Sequence, residues 1–220
     1  MRNLVIGASG GIGRAVVQHL ISTGEEVVTA SRSRDGLDIR DEASVESFAK
    51  TLSGSFDRIL IITGALTLDG HGPEKTIMAL ASGTMAGQFA TNAIGPALLL
   101  KHLHGFLPKD GRSVMATLSA RVGSIGDNRL GGWVSYRAAK AALNQIVHSA
   151  AIEINRKHKD AIIVAYHPGT VRTELTEKYV GNHPAVEPSA AAVHMMKVLD
   201  GLHPNDSGGF FDWKGERVPW

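Results

Sequence analysis

A short, mostly apolar run, Asn3-Leu4-Val5-Ile6, leads directly into Gly7-Ala8-Ser9-Gly10-Gly11-Ile12-Gly13, after which Ile12, Val16, Val17, Leu20 and Ile21 recur at helical spacing. Few folds put a buried strand, a glycine-rich turn and a helix in that order. Glycines at 7, 11 and 13 let the backbone turn sharply, approach a pyrophosphate closely and pack the helix on the strand. The start of the helix offers unpaired N–H groups to an anion. The spacing is G-x-x-x-G-x-G, not the commonest G-x-G-x-x-G, but the strand before it and the helix after it supply the context the reading needs. Gly7, Ser9, Gly11, Ile12 and Gly13 are therefore expected to hold a dinucleotide.

The rest of the chain repeats the alternation of short apolar runs with longer helical patterns. Strands are expected at 3–6, 26–30, 36–39, 58–62, 113–118, 161–165 and 208–213, with helices at 84–106 (kinked by Pro96), 134–156 and 188–202. That order gives an α/β class protein: a Rossmann-type, doubly wound, mostly parallel seven-stranded sheet with helices on both faces. With 220 residues, 43% of them hydrophobic, the chain reads as a single domain, 1–220, with a substrate flap at 170–187 in which Leu175, Tyr179, Val180 and His183 form a partly apolar lid. Leu130 and Trp133 are placed on the other side of the substrate.

Composition removes several classes of function. The formal charge of +2 comes from 23 basic and 21 acidic residues, well mixed, so no nucleic-acid surface is expected. There is no cysteine, which excludes disulfides, thiolate nucleophiles and cysteine metal sites. The start of the chain lacks a signal-peptide pattern, and no run reaches the ~20 apolar residues of a membrane helix, so a cytoplasmic protein without membrane partners is expected. His102 and His104, two apart, point to different sides of a helix, and no metal site is expected. His167, beside Pro168, is the histidine nearest the expected cofactor.

At the end of the second strand, where an acidic residue would bind the ribose hydroxyls of NAD, the chain has Ser31-Arg32. A guanidinium can clamp a 2′-phosphate with paired hydrogen bonds, which favours NADP and leaves NAD as the alternative cofactor. Asp38, just before Ile39, either accepts from the adenine amino group or caps a turn. Tyr136 and Lys140 lie one turn apart on a helix face, and an ammonium beside a phenol is expected to lower the phenol's pKa toward a range useful for proton transfer.

Taken together, Gly7-x-x-x-Gly11-x-Gly13, Asn92, a serine near the end of the fifth strand, Tyr136-x-x-x-Lys140 and Pro168-Gly169 resemble the short-chain dehydrogenase/reductase family, in order along nearly the whole chain. The stretch 118–125, Gly131-Gly132-Trp133 and the ending Gly209-Phe210-Phe211-Asp212 are similar to its compact C-factor-like and sniffer-like carbonyl reductase branch. The resemblance implies that Tyr136 donates a proton to a carbonyl, Lys140 tunes it and holds the nicotinamide ribose, Ser119 hydrogen-bonds the carbonyl, and Asn92 anchors a water that links Lys140 to solvent. It places Gly64, Pro168, Gly169, Thr170 and Thr173 at the cofactor. The implied function is NADPH-dependent reduction of a small or medium ketone, aldehyde or quinone; the alternative is an NAD(P)-binding signalling or redox-sensing protein with little turnover. Helices around 86–103 and 134–152 imply a homodimer or homotetramer.

Three departures stand out. Of the family's Asn-Asn-Ala-Gly after the fourth strand only Gly64 matches, so the local hydrogen bonds must differ. The usual Ser-Ser pair is Ser119-Ala120, which makes Ser119 or, from the following loop, Ser124 the catalytic serine; the strand end favours Ser119. The segment between the second and third strands is too short for the usual crossover helix.

Overall fold

A computed structural model describes residues 1–68, 70–177 and 184–220. Six parallel strands form one sheet: β1 (Arg2–Ile6), β2 (Glu26–Ala30), β3 (Arg58–Ile61), β4 (Ser113–Leu118), β5 (Ala161–His167) and β6 (Phe210–Asp212), in the spatial order β2-β1-β3-β4-β5-β6. Among the described residues seven α-helices accompany them: α1 (Gly11–Ser22), the single turn α2 (Arg32–Asp35), α3 (Glu42–Thr51), α4 (Ser82–Phe89), α5 (Gly95–Leu103), α6 (Val134–Ile154) and α7 (Pro188–Gly201).

Neighbouring residues of a strand point to opposite faces, and both faces here are covered, so the strands are continuously apolar. Leu4, Ile6, Ile59, Ile61, Met115 and Ile163 pack with Val45 of α3, Leu99 of α5 and Leu143 and Val147 of α6. Val5, Leu60, Val114, Ala116, Ile162 and Val164 pack on the opposite side with Val16 and Leu20 of α1 and Met195 and Leu199 of α7. The chain leaves β1 in one direction to reach β2 and returns past it to β3, so the order reverses between β1 and β3. In such a sheet the crevice above the strand C-termini at that reversal is where a ligand binds.

Two expectations are corrected. The seventh strand, at 36–39, does not form: Asp35 and Ser31 close the one-turn helix α2, Gly36 ends it in the left-handed conformation (φ +70°), and Leu37 enters the core as a single plug. β2 consequently stays an edge of the sheet. The long helix at 84–106 changes pitch along its length: α4 passes through a π turn at Ala90–Ile94 into α5 and a final 3-10 turn at His104–Phe106. Pro96 lies in the first turn of α5, where the missing N–H is tolerated after the widened turn.

Candidate active site

Above β1 the glycine-rich turn has room for backbone only. A Cβ on Gly7, whose φ is +87°, would lie 2.2 Å from the Ile62 carbonyl oxygen, and one on Gly13 would lie 2.2 Å from that of Gly7. The helix α1 begins at Gly10 without a side-chain cap, so its first N–H groups are left for an external acceptor. Thr173, from the segment after β5, lies over Gly11. A small open cavity of about 320 Å³ is lined there by Arg172, Thr173, Glu174 and Glu177.

At the end of β2, Ser31 is buried and committed to Asp35, whose carboxylate accepts from the Ser31 N–H (2.7 Å) and hydroxyl (3.3 Å). Arg32 is exposed at the start of α2 and makes no ion pair among the described residues. Asp38 instead carries Arg40, which donates from its backbone N–H (3.0 Å), Nε (3.0 Å) and Nη2 (2.7 Å) and holds the carboxyl down at about 2. The turn-capping alternative for Asp38 is thus the one its geometry matches, and an adenine amino group would have to share this carboxylate. Ile39 is half-buried against the α3–α5 side of the core.

Asn92 sits in the π turn and is fully buried. Its Oδ1 accepts from the Ala65 N–H (3.0 Å), while its Nδ2 donates to the Ala65 carbonyl (2.8 Å) and to Gln88 Oε1 (2.6 Å). Gln88 in turn donates to the Leu66 carbonyl at 3.0 Å. The side chain expected to anchor a water is therefore spent on the exit of β3. A Cβ on Gly64 would lie 3.1 Å from Asn92 Oδ1 and 3.4 Å from Lys140 Nζ, so this glycine is where the two side chains converge.

Lys140 is buried on α6 and donates from Nζ to the Leu118 carbonyl at the end of β4, 2.9 Å away. Its Nζ is 5.9 Å from the centre of the half-buried Tyr136 ring. The expectation that the ammonium lowers the phenol is not met: burial pushes the Tyr136 phenol above its ordinary value and pulls Lys140 down to about 7. A phenol held protonated is a proton donor.

Ser119 is buried, but its hydroxyl donates to Asn144 Oδ1 at 2.6 Å and so is turned onto α6. Ser124 follows the 3-10 turn Arg121–Gly123, which is pressed against α6 where a Cβ on Gly123 would lie 2.8 Å from the Lys140 backbone. Its Oγ accepts from the Asp127 N–H (3.1 Å), leaving its own proton available.

The start of α6 is held from outside the helix. Glu74 is buried; its carboxylate accepts from the Ser135 hydroxyl and N–H, and its backbone oxygen accepts from the Trp133 N–H at 2.5 Å. Burial alone would raise the Glu74 carboxyl, but the Ser135 hydrogen bonds bring it below its ordinary value. Trp133 packs edge-on to Tyr136, centroids 6.3 Å apart. A larger open cavity of about 620 Å³ runs along 71–84 and meets this region at Glu74.

After β5, Pro168, Gly169 and Thr170 lead to Val171, which bridges to Val186 and so ties together the two ends of the expected flap. Leu175 is exposed, whereas the lid residues Tyr179, Val180 and His183 lie outside the described residues. His167, in register with Asp212, is pulled down by burial to about 4 and is therefore neutral near pH 7.

The sequence reading missed Gln88, Asn144 and Glu74. Asn144 extends the stripe Tyr136, Lys140 at a further helical turn, a spacing visible in the sequence; Glu74 is distant in the chain and leaves no local signal.

The sequence model of the family described as short chain dehydrogenase matches residues 2–183. The 1-hydroxy-2-glutathionyl-2-methyl-3-butene dehydrogenase of Rhodococcus sp. (strain AD45) is 30% identical over 233 residues, covering 99% of this chain and 98% of that one. The C-signal protein of Myxococcus xanthus is 36% identical over 137 residues, 62% of this chain and 78% of its own. The NADPH-bound carbonyl reductase from chicken fatty liver superposes with a TM-score of 0.83 at 25% identity, covering 100% of this chain and 98% of that one. With a parallel sheet reversing above a glycine-only turn and Tyr136-x-x-x-Lys140 on α6, the chain belongs to the short-chain dehydrogenase/reductase family of oxidoreductases.

Proposed function

We propose that this oxidoreductase reduces a small or medium ketone, aldehyde or quinone with NADPH. The observation that carries the reading is the convergence of Lys140, Asn92 and Gly64 beneath Tyr136, on the same sheet edge as the glycine-only turn. The residues present fit a dinucleotide: Gly7 and Gly13 admit no side chain, and the uncapped start of α1 faces where a pyrophosphate would lie. Arg32, exposed and without an ion pair among the described residues, is the group for the 2′-phosphate. That the chicken carbonyl reductase is NADPH-bound supports the same cofactor here. Thr170 and Thr173, with Pro168 and Gly169, would close over the nicotinamide end.

NADPH, when bound, supplies the hydride to the carbonyl carbon. Tyr136 gives its Oη proton to the carbonyl oxygen, and burial keeps that proton in place until the oxygen gains charge. Lys140, held at about 7 by burial, would hold the ribose hydroxyls of the bound cofactor and keep a proton in reserve beside the phenol. The Asn92 backbone carbonyl takes over the water-anchoring task, because residue 96, which would donate to it in a regular helix, is proline and has no N–H. Because the Ser119 proton is engaged by Asn144, Ser124 takes the carbonyl oxygen as hydrogen-bond donor.

The test is cofactor titration followed by turnover. NADPH should bind at least tenfold more tightly than NADH, and Arg32→Ala should abolish that preference. Tyr136→Phe should lose at least ~100-fold in kcat with NADPH binding unchanged, within the range for removing a general acid. Equal rates for Tyr136→Phe and the parent would leave a cofactor-binding protein without this chemistry.

A further inference from the structure

The segment between β4 and α6 carries Ser124, and one side chain ties both of its ends to the helix that carries Tyr136. Arg137, half-buried in the first turn of α6, donates from Nη1 to the Val122 carbonyl (3.1 Å) and from Nε to the Gly132 carbonyl (3.0 Å). Val122 lies in the 3-10 turn just before Ser124, and Gly132 (φ +63°) lies in the left-handed approach to α6. Arg137 forms no ion pair among the described residues. Its burial pulls the guanidinium below its ordinary value, a cost that the two carbonyl acceptors offset. Arginine suits this task, because its planar fork presents several fixed donors where lysine presents a single nitrogen.

Other bonds hold the loop to itself and to the end of the chain. Arg121 donates from Nε to Asp127 (2.7 Å), the Asp127 N–H donates to Ser124 Oγ (3.1 Å), and the Gly126 N–H donates to the Trp220 carbonyl (2.8 Å). The Arg137 bonds run across to α6 instead. The turn has little slack there, since a Cβ on Gly123 would lie 2.8 Å from the Lys140 backbone. Tyr136 directly precedes Arg137, so a single helical turn fixes the phenol and, through Val122, the approach of Ser124 to it.

We infer that Arg137 is a positioning residue for the reduction: its two bonds set where Ser124 stands relative to Tyr136, so that one carbonyl oxygen receives hydrogen bonds from both. This rests on the carbonyl-reductase reading and adds to it the residue on which Ser124 depends. Arg137 acts through the loop and needs no contact with substrate or cofactor.

The experiment is a double-mutant cycle of Arg137→Ala with Ser124→Ala, using NADPH and benzaldehyde. Arg137→Ala should lower kcat about tenfold with NADPH affinity unchanged, as expected for a reacting group moved slightly out of place. In the Ser124→Ala background the same change should cost little, because no hydroxyl is left to misplace, whereas independent effects would multiply to about 1,000-fold for the pair. Arg137→Lys, which reaches one carbonyl but not both, should recover only part of the rate, and it runs the same cycle if Arg137→Ala does not fold. A full loss repeated in the Ser124→Ala background, or an unchanged kcat in the folded variant, overturns the inference. Amide hydrogen exchange gives a readout that does not depend on turnover: residues 120–128 should exchange about tenfold faster in the variant while β3 keeps its parental rates. If the parent reduces no carbonyl, the reductase reading fails separately and exchange decides. Faster exchange confined to that segment then sustains the assignment of Arg137, and parental exchange overturns it.

Discussion

Replacing Asn92 with alanine should damage the fold before it touches any chemistry. The amide makes three hydrogen bonds at full burial: to the Ala65 N–H, the Ala65 carbonyl and Gln88 Oε1. Truncation leaves all three partners facing a hole. Each buried polar group left unsatisfied costs about 1–3 kcal/mol, less where water enters, so a loss of roughly 3–5 kcal/mol is expected. For a domain of this length each kcal/mol is worth about 2–4 °C, which makes the melting shift on the order of 10 °C. Urea unfolding at fixed pH measures the free energy directly. Gln88→Ala removes the neighbouring strut to Leu66, and because both amides share one hydrogen bond the double variant should lose less than the sum of the single variants. A loss below about 1 kcal/mol in Asn92→Ala, or strict additivity with Gln88→Ala, would refute the view that this amide pair holds the β3 exit.

Three further outcomes are expected. Gly13→Ala places a methyl 2.2 Å from the Gly7 carbonyl oxygen, where only backbone can give way, so cofactor binding followed by nicotinamide fluorescence should fall beyond detection and unfolding should become easier by about 1–3 kcal/mol. Ser124→Ala should lower kcat about 100-fold with little change in melting, whereas Ser119→Ala should lower stability by roughly 1–3 kcal/mol by stranding Asn144 and leave a larger share of kcat. Stability of the unliganded protein should rise with pH from about 7 toward 10.5: burial holds Lys140 at about 7 in the fold, so across that window the unfolded chain binds the extra proton and raising the pH favours the folded state, by up to ~1.4 kcal/mol per pH unit. Lys140→Met should flatten that part of the urea-stability profile, and an identical slope in both proteins would contradict the assigned burial cost.

The sheet was legible because its strands are buried on both faces and so read as uninterrupted apolar runs. The run around 36–39 looked similar only because Leu37 and Ile39 alternate with polar residues; one supplies a core plug and the other leans on the helix side, without a ladder partner. Tyr136 and Lys140 were legible for a different reason, since helical spacing alone places them on one face. Ser119 was not, because which way a hydroxyl turns depends on Asn144, 25 residues away and contributed by another element. Glu74 was illegible for the same reason, with Ser135 61 positions distant.

The departures from the family pattern explain one another. Where the family has Asn-Asn-Ala-Gly, this chain leaves β3 through Ile62-Thr63-Gly64, residues that bring no side-chain amide to organise the exit. The exit still has backbone groups that must be satisfied in a buried setting. Asn92 and Gln88, one helical turn apart across the change from α4 to the π turn, reach over and do so at Ala65 and Leu66. The π turn shifts the register of the helix at this point, and the shift leaves Asn92 aimed at Ala65 while Pro96 opens the next turn. With the amide side chain spent on structure, the water-anchoring task proposed for Asn92 would fall to its backbone, which changes the experiment that can find it. Side-chain substitutions at 92 report on folding, whereas Pro96→Ala returns the N–H that an α-helical turn would offer the Asn92 carbonyl. If that carbonyl anchors the proton path, Pro96→Ala should lower kcat several-fold and shift its pH profile while leaving NADPH affinity and urea stability near the parent values. An unchanged pH profile in a folded Pro96→Ala variant would assign the proton path elsewhere.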